Sequence, residues 1–175
     1  AFVETAPAFA GADVRAGDRV GLFMEKGYLV AYPRRLSPSS GIAAESAEKG
    51  DAVAVRGLEG IVTLHPGRIT LVRVPQGREG TTRRGRTRGL PPSVRPSREG
   101  VVAAMDVMGL TAARNLGLKP RIEFAALAGA IEAAERGVDV VFLIPAERAA
   151  EAVRAIEDAN ARLEDKIPYE SLALR

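Results

Sequence analysis

Cysteine and tryptophan are absent from the 175 residues, and one histidine, His65, stands among them. Without cysteine there is no disulfide framework, no thiolate metal site and no cysteine nucleophile. A single imidazole excludes a histidine-based metal cluster and leaves a Ser-His-Asp triad little to build on. His65 itself precedes Pro66-Gly67, a turn sequence that favours an exposed, uncatalytic ring. Aromatic residues make up 5% of the chain, so the core must come from Val, Leu, Ile and Ala. No apolar run approaches the roughly 18 residues that would span a bilayer. The segment 1–12 is small and apolar but lacks the basic start of a signal peptide. A cytoplasmic protein is the expectation, since a thiol-free chain suits a reducing compartment, or a hot one. The first residue is Ala, which leaves removal of an initiator Met and excision from a longer chain as the two readings.

Catalytic and cofactor signatures are also missing. Glu45, Glu48, Asp51 and Glu59 show no spacing that would set two carboxylates on one face. Ser37, Ser39 and Ser40 have no base close by in sequence. Met105-Asp106-Val107-Met108-Gly109 lacks the spaced glycines of a dinucleotide fingerprint, and no Walker-type phosphate loop occurs. No catalytic residue, metal ligand or cofactor is therefore assigned, and the chain reads as a binding or regulatory domain rather than an enzyme.

What is present describes a folded α/β chain. Hydrophobic residues make up 46% and charged residues 27%, a pairing that supports a core and excludes wholesale disorder. The length suits one domain or two small halves. The first half is punctuated like β-structure: apolar runs at 19–24 and 28–32 flank Glu25-Lys26-Gly27, a tight hairpin turn. A Pro/Ser loop over 33–41 follows, then strands at 51–55, 58–64 and 68–74. In the last of these, Ile69, Leu71 and Arg73 share one face while Thr70, Val72 and Val74 take the other. Short strands without intervening helices predict a small antiparallel barrel or sandwich.

The second half alternates. Strands are expected at 101–105, 121–124, 138–144 and 167–174, and helices at 109–116, 125–136 and 146–165, with Gly117 and Gly137 closing the first two. The β-α-β-α-β-α-β order implies a mostly parallel sheet with right-handed crossovers. The predicted organisation is a β-rich subdomain over 1–75, a connecting loop over 76–100 and an α/β subdomain over 101–175.

Charge is concentrated in the connector. Between Gln76 and Glu99 stand seven arginines and two glutamates, a local charge of +5 in a chain of net +3, so the remainder carries −2. Guanidinium forks bind phosphate and carboxylate bidentately, and interspersed glycines let backbone N–H groups approach an anion. Gly80, Thr81, Thr82, Arg83, Arg86 and Arg88 are the candidate ligand-binding residues. A solvated charged loop is an equal reading, because charge runs are usually surface. A nucleic-acid arm is a third, weakened by the lack of interleaved aromatics to stack on bases.

Ligands of open parallel sheets lie outside the carboxyl ends of the strands. That rule selects Asp106 to Thr111, Phe124 and Ala125, and Pro145 to Glu147. Asp106, Gly109, Thr111 and Pro145 join the candidate site, with helix capping as the structural alternative for Asp106. The expected ligand is a small anion held between the loop 80–88 and the strand ends at Asp106 and Pro145.

Several stretches carry a resemblance. Gly17-Asp18-Arg19-Val20-Gly21-Leu22-Phe23-Met24, Gly27-Tyr28-Leu29, Leu58-Glu59-Gly60-Ile61-Val62, Pro66-Gly67-Arg68-Ile69-Thr70 and Val74-Pro75 resemble the C-terminal, effector-binding domain of archaeal winged-helix transcriptional regulators. The family's Gly-Gly-Ser-Arg loop resembles Gly80-Thr81-Thr82-Arg83, and its closing α/β unit resembles 101–174. The likeness spans almost the entire chain, through structural glycines and apolar runs. Thr81 departs from it by replacing a glycine. Gly85-Arg86 departs by replacing an expected acidic residue, and so adds positive charge. The resemblance implies a ligand-sensing homodimer. It also implies that DNA is reached only through a helix-turn-helix segment outside this chain. A direct nucleic-acid binder and an enzyme acting on a phosphorylated small molecule remain the alternatives.

Overall fold

The computed structural model describes residues 4–62, 64–76 and 94–174. They form a mixed α+β fold with two separate sheets, a closed five-stranded barrel and a four-stranded parallel sheet flanked by helices. The chain divides into two compact units, Ala1–Leu64 and His65–Arg175.

The first unit is the barrel. Strands β1 (Thr5–Ala10), β2 (Arg19–Glu25), β3 (Tyr28–Tyr32), β4 (Ser40–Ala43) and β5 (Ala52–Glu59) close in the order β1-β3-β2-β4-β5. Every pairing is antiparallel except β1 with β3, which is parallel. The hairpin between β2 and β3 turns at Lys26 (φ 50°) and Gly27 (φ 82°). Two left-handed residues in a two-residue loop match the right-handed twist of the flanking strands. Ala8, Ala10, Val14, Val20, Leu22, Ala31, Ala43, Val53 and Val55 fill the interior. Small and branched side chains suit a barrel this narrow.

The second unit holds β6 (Ile69–Val74), β7 (Val101–Ala104), α1 (Asp106–Asn115), α2 (Ala126–Glu135), β8 (Val140–Pro145), a short 3-10 turn (Ala146–Arg148), α3 (Ala149–Asn160) and β9 (Tyr169–Ala173). The sheet order is β7-β8-β6-β9, and all three pairings are parallel. Helix α1 covers the face carrying Val72, Val74, Val102, Val141 and Leu143. Helices α2 and α3 cover the other face, against Ile69, Leu71, Val140, Phe142 and Ile144.

Three expectations change. The division falls after Leu64, not near Pro75, so residues 69–74 leave the β-rich subdomain and become an interior strand of the parallel sheet. The physical reason is that β6 is buried on both faces, with Arg73 alone half-exposed, as parallel strands between helix layers are. Residues 121–124 make only a single parallel bridge, Ile122 to Ala103. The last helix ends at Asn160 rather than running to Asp165. The buried Asn160 side chain donates to Ile167 O at 3.1 Å and accepts from Ile167 N–H at 2.8 Å, which turns the chain back toward β9.

Candidate functional site

At the carboxyl edge of the parallel sheet, β6, β7 and β8 end at Val74, Ala104 and Pro145. Beyond β7 the chain turns through Asp106, whose φ of 53° is left-handed. Its Oδ1 accepts the Met108 N–H at 2.9 Å, so the carboxylate serves the start of α1, and one oxygen remains for other partners. Pro145 is buried, and its φ of −53° leads straight into the 3-10 turn. Gly109 and Thr111 stand further along α1. A Cβ on Gly109 would lie 2.7 Å from Leu143 O, so this glycine sets how closely α1 approaches β8. The Thr111 hydroxyl donates to Val107 O at 2.7 Å within the helix. Asp106 and Pro145 thus belong to the edge, while Gly109 and Thr111 serve packing and the helix itself. Gly80, Thr81, Thr82, Arg83, Arg86 and Arg88 lie outside the described residues; the chain sets out toward them from Gln76, just past the end of β6.

The edge contains one group that sequence reasoning passed over. Arg73 shares its face with Ile69 and Leu71 and stands beside Ile144 on β8 and Ala173 on β9. Its Nε is buried and has no hydrogen-bond partner among the described residues. A buried polar atom without a partner is rare in folded proteins and costs free energy until an acceptor arrives. The signal was legible: one arginine stands in the otherwise uncharged run Ile69-Thr70-Leu71-Val72-Arg73-Val74.

The ends of β6 and β8 also carry polar groups. A side-chain hydrogen bond with Gln76 is the main cause that holds the Glu147 carboxyl below its ordinary pKa, followed by its own backbone and the charge of Arg148. Arg148 grips Glu151 with two parallel contacts of 3.0 and 3.1 Å. Its pKa is raised first by Glu151, and also by the charges of Asp106 and Glu147, so these groups share one field. Met105, Ala125 and Arg148, which precede α1, α2 and α3, make no side-chain cap; Asp106 serves the first turn of α1, and α3 continues from the 3-10 turn. Val107 and Phe124, at 76% and 89% exposure, add an apolar border. Such an edge offers cationic and backbone donors with a few acceptors, the equipment for holding an anion. His65 lies elsewhere: it precedes β6 at the opposite end of the sheet, paired with Asp165 at 2.9 Å, both side chains exposed.

Comparison with known sequences gives a family. A profile described as a domain of unknown function, DUF7839, matches residues 63–164, more than half of the chain. The chain belongs to this family. The DUF7839 stretch takes in β6 and ends after α3, so the family domain includes the strand that carries Arg73. An uncharacterized protein of Methanocaldococcus jannaschii is 29% identical over 154 residues, covering 88% of this chain and 59% of that protein. The DUF7839 chain therefore spans about three fifths of the length of this curated relative. No solved structure matches it.

Proposed function

We propose that this DUF7839 chain is a ligand-sensing regulatory module whose parallel-sheet unit takes a small anionic metabolite at its carboxyl edge. The observation that carries this reading is the buried, unpartnered Arg73 Nε at the end of an interior strand. An anion seated there would supply the missing acceptor, with Arg148 as a further cation of the same edge. By their chemistry alone, Arg83 and Arg86 of the connecting segment stay candidate anion ligands. In the regulator reading the module works as a homodimer and reaches DNA through a helix-turn-helix segment outside this chain. The longer archaeal relative leaves room for such a segment.

The test is a thermal-shift screen of nucleotides, phosphorylated metabolites and carboxylates, followed by calorimetry on the parent and on Arg73→Met. Methionine keeps an unbranched stem of similar reach while removing the unpaired donor. The ligand-free variant should melt no lower than the parent, because no described partner is lost. The ligand that stabilises the parent should bind the variant at least about tenfold more weakly, one charged hydrogen bond being worth that much. Undiminished binding to Arg73→Met would remove the reading.

A further inference from the structure

The barrel unit carries a cleft of its own. A cleft of about 880 Å³ opens between the β1–β2 connection and the β3–β4 connection, lined by Asp13, Arg15, Asp18, Arg19, Arg34 and Arg35, with Tyr32 in its wall. Such a volume is that of a small-molecule pocket rather than of a bare ion. We infer that this cleft is a second ligand site, independent of the carboxyl edge, and that it takes a small diphosphate ester.

The walls are held in place by glycines and by an aromatic-cation cluster. A Cβ on Gly11 would fall 2.3 Å from the Tyr32 ring, and one on Gly21 would fall 2.1 Å from Arg35 O. Both positions therefore admit the Tyr32–Arg35 segment only because they lack a side chain. Both carboxylate oxygens of Glu25 accept the Tyr32 hydroxyl, at 2.8 and 3.0 Å, and Glu25 reaches Arg35 at 3.4 Å. The Arg35 guanidinium lies 4.2 Å from the Phe23 ring centre and 5.0 Å from that of Tyr32, whose rings meet edge to face. A fork stacked in this way is oriented before a ligand arrives.

The charges decide the ligand class. Arg19 and Arg35 are engaged with Glu59 and Glu25 at 3.3 and 3.4 Å, with all four side chains substantially exposed. Such pairs are weak and easily shared with an incoming anion. The side chains of Arg15 and Arg34 have no partner among the described residues. Asp13 and Asp18 each spend one oxygen on a backbone N–H, from Lys49 and Arg15, both at 2.9 Å. The second oxygen of each can accept from a ligand hydroxyl. Two unpaired and two loosely paired guanidiniums outmatch a monocarboxylate and suit adjacent phosphates. The rings of Phe23 and Tyr32 are already engaged with Arg35, which argues for phosphate recognition over the base stacking of a single-strand binder.

The experiment uses the full chain and follows backbone amides by NMR while pyrophosphate, ADP or an oligothymidylate is added, with calorimetry alongside. Pyrophosphate and ADP should shift amides of residues 12–19 and 32–35 saturably. The double variant Arg15→Ala/Arg34→Ala should weaken both ligands by about tenfold or more, with its melting temperature unchanged. Arg73→Met and the exposed Arg162→Ala should leave these shifts intact, so failure here and failure at the carboxyl edge are separable. Shifts confined to the parallel-sheet unit, or equal affinity in the double variant, would overturn the inference. So would binding of the oligothymidylate alone, with steep salt dependence, which would mark a nucleic-acid surface instead.

Discussion

Gly67 shows how much of this fold hangs on single atoms. A Cβ there would sit 2.1 Å from Val138 O and 2.2 Å from Val138 C, both backbone atoms. The Gly67 N–H also donates to Ala134 O at 2.8 Å, tying the start of β6 to the end of α2. Gly67→Ala must push the backbone aside and should cost about 1–3 kcal/mol or more, the range for overpacking a tight site. Gly109→Ala faces a lesser clash, 2.7 Å from Leu143 O, and regains about 1 kcal/mol of helix propensity. Urea denaturation should rank the two variants in that order, and a Gly67→Ala midpoint equal to the parent's would contradict the close approach. Tyr32 offers a second check on the barrel. Its pKa is raised above the ordinary 10.0, first by the hydrogen bond to Glu25, then by burial and the Glu25 charge, with Arg35 opposing. A phenol raised in the folded state contributes stability that is present below about pH 10 and lost as pH climbs through the folded pKa. Glu25→Gln should bring the Tyr32 titration back toward its ordinary value in ultraviolet absorbance; no movement would mean that the carboxylate does not hold the phenol.

At the level of elements, local chemistry was the legible part. The β2–β3 hairpin is signalled by Gly27 between two apolar runs, since glycine takes a positive φ freely; Lys26 adopts its φ of 50° without such a preference. Strand β8, six residues buried throughout, is equally plain as a continuous apolar run. Partner choice was not legible. Residues 69–74 follow the barrel strands without an intervening helix, and nothing local says that their neighbours are β8 and β9, some 70 and 100 residues on. The clue was two-sided apolarity, which an outer strand of an antiparallel barrel would not need. The same clue isolates Arg73, the one charge in that run. Asp106 and Pro145 were reachable from the rule for parallel sheets. The importance of Arg73 was not, because it depends on which groups surround Nε in space. The barrel cleft was hidden for the same reason: its arginines come from two connections and the start of β2, which only barrel closure brings together.

For the whole molecule, the place where the chain divides has a direct experimental consequence. All four strands of the parallel sheet, and the three helices on its faces, lie within His65–Arg175. Its two hydrophobic clusters draw only on residues of that unit: one is centred on Phe142 and Ile156, the other on Val72 and Leu143. A fragment of residues 65–175 therefore keeps a complete core and should fold alone, with cooperative melting and dispersed amide resonances. A fragment cut at Pro75, starting at residue 76, loses β6 from between β8 and β9. That removes Ile69, Leu71, Val72 and Val74, all fully buried. Burying a side chain of this size is worth about 1.5–3 kcal/mol, so the loss of four approaches the 5–15 kcal/mol of a typical domain. The shorter fragment should be unfolded or aggregated, since β8 and β9 would each expose an unpaired edge. Circular dichroism and proton NMR on the two fragments decide the matter. If residues 76–175 fold as well as 65–175, β6 is dispensable and the division after Leu64 is wrong. If only the longer fragment folds, it also becomes the minimal piece on which anion binding at Arg73 can be measured without the barrel cleft.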